Sequence, residues 1–238
     1  MSTLLKQITG FAVCVGLGSA GAVEAPAPKT APTHTYQGFY VFGGGSWMRW
    51  KSSAEGSLIS KASEKNGFGL SIGGSYLHAF GNFLVGTEAG CHFPLKTILH
   101  ETKTPSVGSG ISSVIFSAKP YPYSPSAAIV LGYSFGANGM VALTAGGTYS
   151  GIRLTITAQI IDGGEKTVDN DWCSFRPEVG LKYAYEFWKS LGVSVEAHHT
   201  FGNMKEYKLK DIDGEETAVG IRVKTDRTMV GVNLFYHF

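Results

Sequence analysis

The sequence predicts an all-β protein built as an eight-stranded antiparallel up-and-down barrel, and three observations predict it. Glycine accounts for 32 of 238 residues and only 16% of residues are charged, a composition unlike that of helical bundles or disordered chains. Eight segments alternate apolar and polar residues with a period of two, the pattern of half-buried strands. The connections between them alternate between short and long, so that all tight turns fall at one end.

The amino terminus is predicted to be an export signal over residues 1–22. Lys6 precedes a short apolar run, Ile8–Leu17, and Ala20-Gly21-Ala22 offers a small-x-small cleavage site. The run is shorter than the roughly 20 residues that a membrane-spanning helix needs, and an uncleaved anchor or a lipid anchor at Cys14 stay open as alternatives. Residues 23–37 contain three prolines and are predicted as an extended linker, followed by the barrel over residues 38–238.

The eight predicted strands follow in order along the chain. They are Gly38–Trp50, Gly67–His78, Phe83–Phe93, Ser126–Phe135, Met140–Arg153, Ser174–Tyr185, Leu191–Gly202 and Thr228–Phe238. Tight turns are expected near Ala79–Asn82, Gly136–Gly139 and Glu186–Ser190. Long loops are expected over Lys51–Asn66, Pro94–Pro125, Leu154–Cys173 and Asn203–Arg227. Most of the strands are close to the length of about 9–11 residues with which a tilted strand crosses a bilayer.

The alternation also predicts which face of each strand points into the barrel. In the seventh strand, Val193 and Val195 share one face while Ser194 and Glu196 share the other. Three separate strands place a glutamate among small residues on the less apolar face. The interior of an eight-stranded barrel is just wide enough for side chains. Together with the export signal and the turn layout, this pattern predicts a transmembrane barrel with a polar lumen and an apolar outer face.

The predicted lumen contains a cluster of charged residues. Its members are Glu88, Arg176, Glu178, Lys182, Glu196 and His198. One interpretation is a gate or an ion path lined by salt bridges that exchange partners. The favoured interpretation is a structural plug, because buried charges must pair and eight strands enclose too little space for an aqueous channel.

No catalytic, cofactor or metal site is predicted. His198 and His199 are adjacent in a strand and therefore point to opposite faces, so they cannot share one metal ion. Ser194, Glu196 and His198 share a face with Thr200, but that face is predicted to point into the lumen. The acidic run over residues 211–216 lacks the carboxylate spacing of a calcium loop and is predicted to be a turn. The sequence therefore predicts a protein that is not an enzyme.

Cysteine and aromatic residues complete the prediction. Cys91 and Cys173 fall on the outer faces of strands that are three apart around the wall, too far apart for a disulfide. Aromatic residues near the predicted strand ends suit either interface girdles or ordinary β-propensity. They include Trp47, Trp50, Tyr76, Tyr183, Tyr185, Trp188, Tyr236 and Phe238.

The chain resembles a known family in three short motifs. These are Gly38-Phe39-Tyr40-Val41, Gly132-Tyr133-Ser134-Phe135 and the ending Gly231-Val232-Asn233-Leu234-Phe235-Tyr236-His237-Phe238. They resemble those of the small eight-stranded outer-membrane β-barrels of the OmpA/OmpX class, a group of surface antigens and porin-like proteins. The resemblance implies a Gram-negative outer membrane, a periplasmic linker over residues 23–37, and recognition of Tyr236 and Phe238 as an assembly signal by the barrel-assembly machinery. Pro177 and His199 depart from the pattern of the family.

The function expected from the resemblance is that of a structural or surface barrel that presents four long extracellular loops for adhesion, host contact or envelope integrity. A narrow channel, a lipid A-modifying enzyme and a soluble exported ligand-binding barrel are the alternatives. The expected partners are outer-membrane lipid, the assembly machinery and a host or surface ligand, with a monomeric barrel. Nucleic acid is not expected, since a net charge of +2 provides no basic face for counterion release.

Overall fold

The computed structural model describes residues 36–56, 60–95, 100–105, 111–136, 138–160, 164–202, 204–210 and 216–238. The predicted export signal and nearly all of the predicted linker lie outside these ranges. The described residues form eleven strands: β1 Gly38–Gly56, β2 Ser60–Phe80, β3 Phe83–Leu95, β4 His100–Pro105, β5 Ile111–Pro120, β6 Ser124–Phe135, β7 Gly139–Ile160, β8 Glu165–Trp188, β9 Leu191–Thr200, β10 Lys205–Lys210 and β11 Glu216–His237. Within those ranges, no helix is long and apolar enough to cross a membrane.

Eight of the strands close into a ring. Neighbouring strands pair antiparallel in the order β1, β2, β3, β6, β7, β8, β9, β11 and back to β1. The closing pair joins the first strand to the last, with Tyr40 opposite His237 and Trp50 opposite Arg227. The predicted eight-stranded antiparallel up-and-down barrel is therefore confirmed.

Three tight turns lie at one end of the ring, where the sequence places them. β2 and β3 are joined at Gly81 and Asn82, β6 and β7 through a turn that includes Gly136 and Asn138, and β8 and β9 at Lys189 and Ser190. Gly81, Gly136 and Ser190 have φ angles of 64°, 61° and 67°, which is the left-handed conformation that tight hairpin turns require. We call this end of the barrel the short-turn end.

The opposite end differs from the expectation, because the long loops predicted there are largely strand. β7 has 22 residues and β8 has 24, about twice the 9–11 residues that cross a bilayer. β1 and β2 continue through most of Lys51–Asn66, and Pro94–Pro125 contains the hairpin β4–β5. The prediction of loops was wrong because the outward residues become polar there, so the alternation of an apolar outer face ends while the strands continue.

Beyond the ring, the pairings of the described residues form two four-stranded sheets. One sheet is β4–β5–β7–β8 and the other is β2–β1–β11–β10. The wall divides where β3 stops pairing with β2 at Leu95–Phe68 and where β9 ends at Thr200. We call this part the head, made of the described residues among 49–66, 100–120, 151–173 and 205–226.

Pro177 is accommodated in β8 at the end of a ladder. It lies opposite Gly147 of β7, one residue beyond the last β8–β9 pair, Glu178–Thr200. The Pro177 carbonyl accepts a hydrogen bond of 2.9 Å from the Phe201 N–H. The N–H that proline lacks lies beyond the last β8–β9 residue pair, and the pairs from Glu178 to Glu186 continue without a bulge.

His199 and the cysteines lie on or near the outer face. The His199 Nδ1 atom is 3.0 Å from the Thr228 hydroxyl, and its ring packs on the edge of Phe201 at 4.6 Å. The polar ring atom of this outward histidine is therefore satisfied within the wall. Cys91 and Cys173 are free thiols in strands that β6 and β7 separate.

Candidate functional site

The outer surface of the ring is an apolar belt. Outward residues on every ring strand are large and exposed, for example Leu143 at 62%, Phe175 at 66% and Val232 at 53%. On β8 the belt extends along Phe175, Val179, Leu181, Tyr183, Tyr185 and Phe187. Soluble monomers rarely expose a contiguous apolar surface of this extent. The belt instead suits contact with lipid hydrocarbon.

The inner and outer faces exchange their chemical character where the head begins. On β1 and β2 the outward pair Trp47–Phe68 is followed by Arg49–Asn66. On β7 and β8 the change from apolar to polar outward residues extends over more of the strand, from the pair Tyr149–Phe175 to the pair Arg153–Asp171. The inward residues of the same strands change in the opposite sense. An apolar cluster lies where the head begins and includes Trp50, Ile152, Leu154 and Trp172. The ring is therefore apolar outside and polar inside, whereas the head is polar outside and apolar inside.

Side chains fill the lumen in three layers. At the short-turn end an aromatic layer contains Tyr36, Tyr40 and Phe235. At the head end an apolar layer contains Met48, Trp50, Ile152, Leu154, Trp172 and Met229. Trp50, one of the aromatic residues considered for an interface girdle, is only 4% exposed and belongs to this inner layer, because it shares the inward phase of Met48. Between the two layers lies a charged layer.

Five of the six predicted cluster residues form a chain of contacts in the charged layer. Lys182 contacts Glu88 and lies 3.6 Å from Glu196. His198 lies between two carboxylates, with its Nε2 atom 3.6 Å from Glu196 and its Nδ1 atom 3.4 Å from Glu178. All of these side chains have at most 12% exposure, so they are held by one another and not by solvent.

The chain of contacts ends at a residue that the sequence analysis did not select. The Arg227 Nη2 atom is 3.0 Å from the Glu178 Oε2 atom, and the same oxygen accepts a hydrogen bond of 2.7 Å from Thr200. Arg176, the sixth predicted residue, donates a bond of 2.5 Å to the Thr225 carbonyl. Each buried charge therefore has partners, as the interpretation of a structural plug requires.

Phe42 divides the remaining space in the lumen. A cavity of about 30 Å³ lies between Phe42 and the aromatic layer, and a second of about 10 Å³ lies between Phe42 and the carboxylates. The ring lies so close to the β2 backbone that a Cβ atom at Gly73 would approach it to 2.4 Å. On the other side, the Lys182 ammonium lies 4.7 Å from the ring centroid, within the range of a cation–π contact. The two cavities have room for only one or a few water molecules.

Among the described residues of the lumen, no arrangement is typical of a catalytic or metal site. Ser194, Glu196 and His198 point inward together with Thr200 and are all less than 8% exposed, so they do not reach a substrate outside the wall. Within the part of the chain that the structure describes, no group of three or more His, Cys, Asp or Glu side chains is arranged to hold a metal ion.

The predicted cluster did not include Arg227, His92 or Tyr36, which are all buried in the lumen. Arg227 was assigned to a loop, although it shares the inward phase of Met229 two residues later, so extending the alternation backward would have found it. His92 was placed on the inner face of the third strand but was not selected. Tyr36 precedes the first strand, and no periodic pattern indicates that it folds into the barrel.

Comparisons with known proteins found matches among solved structures. No family model and no curated protein matches the sequence. Matching solved structures include Neisserial surface protein A, with 13% identity over 85% of this chain and 98% of that chain, and a TM-score of 0.40. The outer membrane protein OprG of Pseudomonas aeruginosa matches with 12% identity, the same coverage and a TM-score of 0.48. Ail, the attachment invasion locus protein of Yersinia pestis, matches with 13% identity over 84% and 99%, and a TM-score of 0.35.

These neighbours are small outer-membrane β-barrel proteins, the family that the sequence resembles. Because the identities and TM-scores are low, the fold assignment depends on the strand pairings of the ring. What the neighbours bind or transport does not carry over to this chain.

Proposed function

We propose that this protein is an outer-membrane β-barrel with a closed lumen, and that its head makes the functional contacts at the cell surface. The exchange of inner and outer faces supports the proposal most strongly. An apolar outer face suits the hydrocarbon core, where a closed ring also satisfies the backbone hydrogen bonds. A polar outer face and an apolar core, as in the head, suit water. The short-turn end then faces the periplasm, as short turns do in this architecture.

The filling of the lumen favours a structural or surface role over a channel. An aqueous pore needs continuous space, whereas among the described residues two small cavities, separated by Phe42, lie between the aromatic layer and the apolar layer. Trp50 and Trp172 help to seal the head end, and both are less than 8% exposed. A lipid A-modifying activity is also disfavoured, because Ser194 and His198 face the lumen and not the outer rim.

The head provides a polar surface of paired strands for contact with a partner outside the cell. On the outer face of β7 and β8, Arg153 forms two hydrogen bonds of 2.6 and 2.9 Å with Asp171, and this carboxylate raises the pKa of the Arg153 guanidinium. Thr155 donates a bond of 2.7 Å to Asp169 one step further out. Paired strands with cross-strand contacts lose less conformational entropy on binding than free loops would. We propose adhesion or host contact as the use of this surface.

Membrane fractionation combined with gel mobility tests the proposal. Cells that express the chain are expected to retain it in the outer-membrane fraction after carbonate extraction. The unheated protein is expected to migrate differently from the boiled protein, because a closed barrel resists unfolding by detergent. Recovery in the soluble periplasmic fraction, with one mobility in both samples, would instead indicate a soluble exported barrel.

A cell-binding assay tests the role of the head. In a variant that joins Leu95 to Ser124 through a short turn, the hairpin β4–β5 is removed and the ring is kept. We expect this variant to keep the heat-dependent mobility and to lose binding of the expressing cells to host cells or to other surfaces. Equal binding by the variant and the native chain would refute a surface role for this hairpin.

We also propose that Tyr236 and Phe238 act as the assembly signal that the barrel-assembly machinery recognises. The Phe238 ring is 71% exposed, and its centroid lies 6.1 Å from that of Phe39 and 5.0 Å from that of Tyr236. Deletion of Phe238 is expected to prevent insertion in cells but to allow folding in detergent, since it removes one closing hydrogen bond, from the Phe238 N–H to the Phe39 carbonyl. Normal insertion in cells would refute the signal.

A further inference from the structure

Tyr36 closes the lumen at the short-turn end, although it precedes the first strand. Its side chain is 1% exposed, and its ring lies 6.4 Å from the rings of both Tyr40 and Phe235. The hydroxyl contacts the Asn138 carbonyl, which is in the turn that leads into β7. Because β7 is four strands from β1 in either direction around the ring, this one side chain extends across the full width of the mouth.

The hydroxyl of Tyr36 occupies a site with defined hydrogen-bond partners. The Ala184 carbonyl lies 3.1 Å from the hydroxyl oxygen, and the Glu186 N–H donates to the same oxygen at 3.1 Å. With the Asn138 carbonyl, the site offers one donor and two acceptors. A hydroxyl accepts from the Glu186 N–H and donates its single hydrogen to one of the two carbonyls. The site therefore matches a planar ring that carries one hydroxyl.

Tyr36 and Gln37 form a short strap that precedes β1 and is not part of a strand ladder. Gly38 bends the strap into the mouth with a φ of 138°, a conformation that favours glycine. The His237 Nε2 atom lies 2.8 Å from the Gln37 carbonyl and fixes the strap. The strap can thus leave the mouth through rotation at Gly38 and loss of a few contacts, while the ring of strands remains intact.

Removal of Tyr36 would open the larger cavity behind it. That cavity of about 30 Å³ is lined by Tyr36, Phe42 and Ser194, and also by Lys182 of the charged layer. Ser194 is 3% exposed, so solvent reaches it only if the mouth opens. The apolar layer at the head end stays in place, so opening of the mouth creates a pocket and not a through-going pore.

We propose that Tyr36 is a removable plug, and that the site it fills binds a small phenol when the strap withdraws. The phenol ring packs against both Tyr40 and Phe235, and its hydroxyl accepts from the Glu186 N–H and donates to one of the two carbonyls. The pocket is open only to the short-turn end. The proposal goes beyond the surface role of the head, and its test in detergent does not depend on which membrane holds the barrel.

Accessibility of a cysteine in the cavity provides the test. The full chain, with Cys14, Cys91 and Cys173 replaced by serine, carries Ser194→Cys and is folded in nonionic detergent. N-ethylmaleimide modification is followed by mass spectrometry with Tyr36 present and in Tyr36→Ala. We expect modification to be about tenfold or more faster in Tyr36→Ala, because a buried group reacts only from the opened population.

Two control positions separate removal of the plug from general loosening. Asn82→Cys, in an exposed turn at the same end, is expected to react quickly in both backgrounds. Ser174→Cys, buried near the head end at 6% exposure, is expected to react slowly in both. Acceleration at Ser174→Cys together with Ser194→Cys would mean that the whole barrel has loosened, and would overturn the plug.

Protection by p-cresol, the side chain of tyrosine as a free molecule, tests the phenol site. We expect p-cresol to slow the modification of Ser194→Cys in Tyr36→Ala, and toluene to protect less because it lacks the hydroxyl. With Tyr36 in place, p-cresol is expected to have no effect. Equal rates with and without Tyr36, or no protection by p-cresol, would overturn the proposal.

His237→Ala provides a second variant that keeps Tyr36, so the test does not depend on folding of Tyr36→Ala. Loss of the bond to the Gln37 carbonyl is expected to release the strap part of the time. Ser194→Cys is then expected to react faster than it does in the protein that keeps His237, and p-cresol is expected to slow this reaction. An unchanged rate in this variant would show that the strap does not withdraw, and would overturn the plug.

Discussion

Glu178 joins several elements of the barrel through one carboxylate. It lies on β8 and contacts Arg227 of β11 at 3.0 Å, Thr200 of β9 at 2.7 Å and His198 at 3.4 Å. The carboxylate is 7% exposed. Removal of one partner from a buried pair costs more than the pair contributes, because the other charge is left without compensation. Loss of this carboxylate should therefore destabilise three strands together.

The first prediction compares Glu178→Leu with Val179→Leu. Glu178→Leu leaves Arg227 buried without its carboxylate and is expected to lower the free energy of unfolding by about 3–5 kcal/mol. Val179 is the next residue, is 46% exposed on the apolar belt, and is expected to change stability by less than about 1 kcal/mol. Urea titration of the folded barrel in detergent measures both. The reverse order of the two effects would contradict the assignment of inner and outer faces.

Individual residues of the lumen could be predicted where the alternation of a strand was clear. Glu88, Lys182 and Glu196 share the phase of glycines on their own strands, so their placement in one layer requires only the period of two and closure of the ring. Tyr36 could not be predicted in this way, because it enters the lumen through a bend at Gly38 and not through a strand phase. Its position depends on contacts with Ala184 and Asn138, more than 100 residues away along the chain.

At the scale of the element, β8 spans two environments along a single strand. Its lower half places Lys182 in the lumen and Leu181 on the apolar belt, whereas its upper half places Trp172 inside and Asp171 outside. The strand keeps its period of two throughout, and only the solvent on its outer side changes. A single strand therefore contributes to two cores of opposite chemical character.

The second prediction compares two neighbouring residues of the upper half of β8. Trp172→Ala removes a ring from the apolar layer and is expected to cost about 3–5 kcal/mol. Asp171→Ala removes the exposed pair with Arg153 and is expected to cost no more than about 1 kcal/mol. Urea titration and limited proteolysis of the head measure the two effects. Equal protease resistance of Trp172→Ala and the native chain would contradict an apolar core in the head.

The positions of the strands in the ring could be predicted, but their lengths could not. The turns at Gly81 and Gly136 were correctly placed because their residue types and spacing indicate tight hairpins. The extensions into the head were predicted as loops because polar residues such as Arg49 and Lys51 were taken as the ends of strands. In the structure, these residues lie where the outer face of a continuing strand changes from apolar to polar. A search for an apolar outer face cannot distinguish this change from the end of a strand.

At the scale of the whole molecule, the level at which the faces exchange indicates where a bilayer surface would lie. Leu143 of β7 lies below this level with 62% exposure. Thr155, on the same face of the same strand, lies above it and faces Asp169. A charge introduced at the two positions would meet hydrocarbon in one case and water in the other.

The third prediction uses this contrast. Leu143→Arg is expected to cost about 2–4 kcal/mol for folding into lipid vesicles, the penalty for arginine near the bilayer midplane. Thr155→Arg, which can pair with Asp169, is expected to change stability by less than about 0.5 kcal/mol. Urea titration in phospholipid vesicles measures both. Equal costs at the two positions would contradict the membrane level proposed for the barrel.

The pairing of β1 with β11 has a consequence for how this protein can be rearranged. Gly38 and Phe238 leave the ring at the same mouth, where the Phe238 N–H donates to the Phe39 carbonyl at 2.9 Å. A short linker could join these two residues, and new termini could be opened at an exposed turn such as Gly81–Asn82, with every ladder of the ring retained. A cargo peptide joined directly at Gly38 or at Phe238 would lie on the side of the tight turns. For display on the opposite side, the cargo has to be inserted at a hairpin tip of the head.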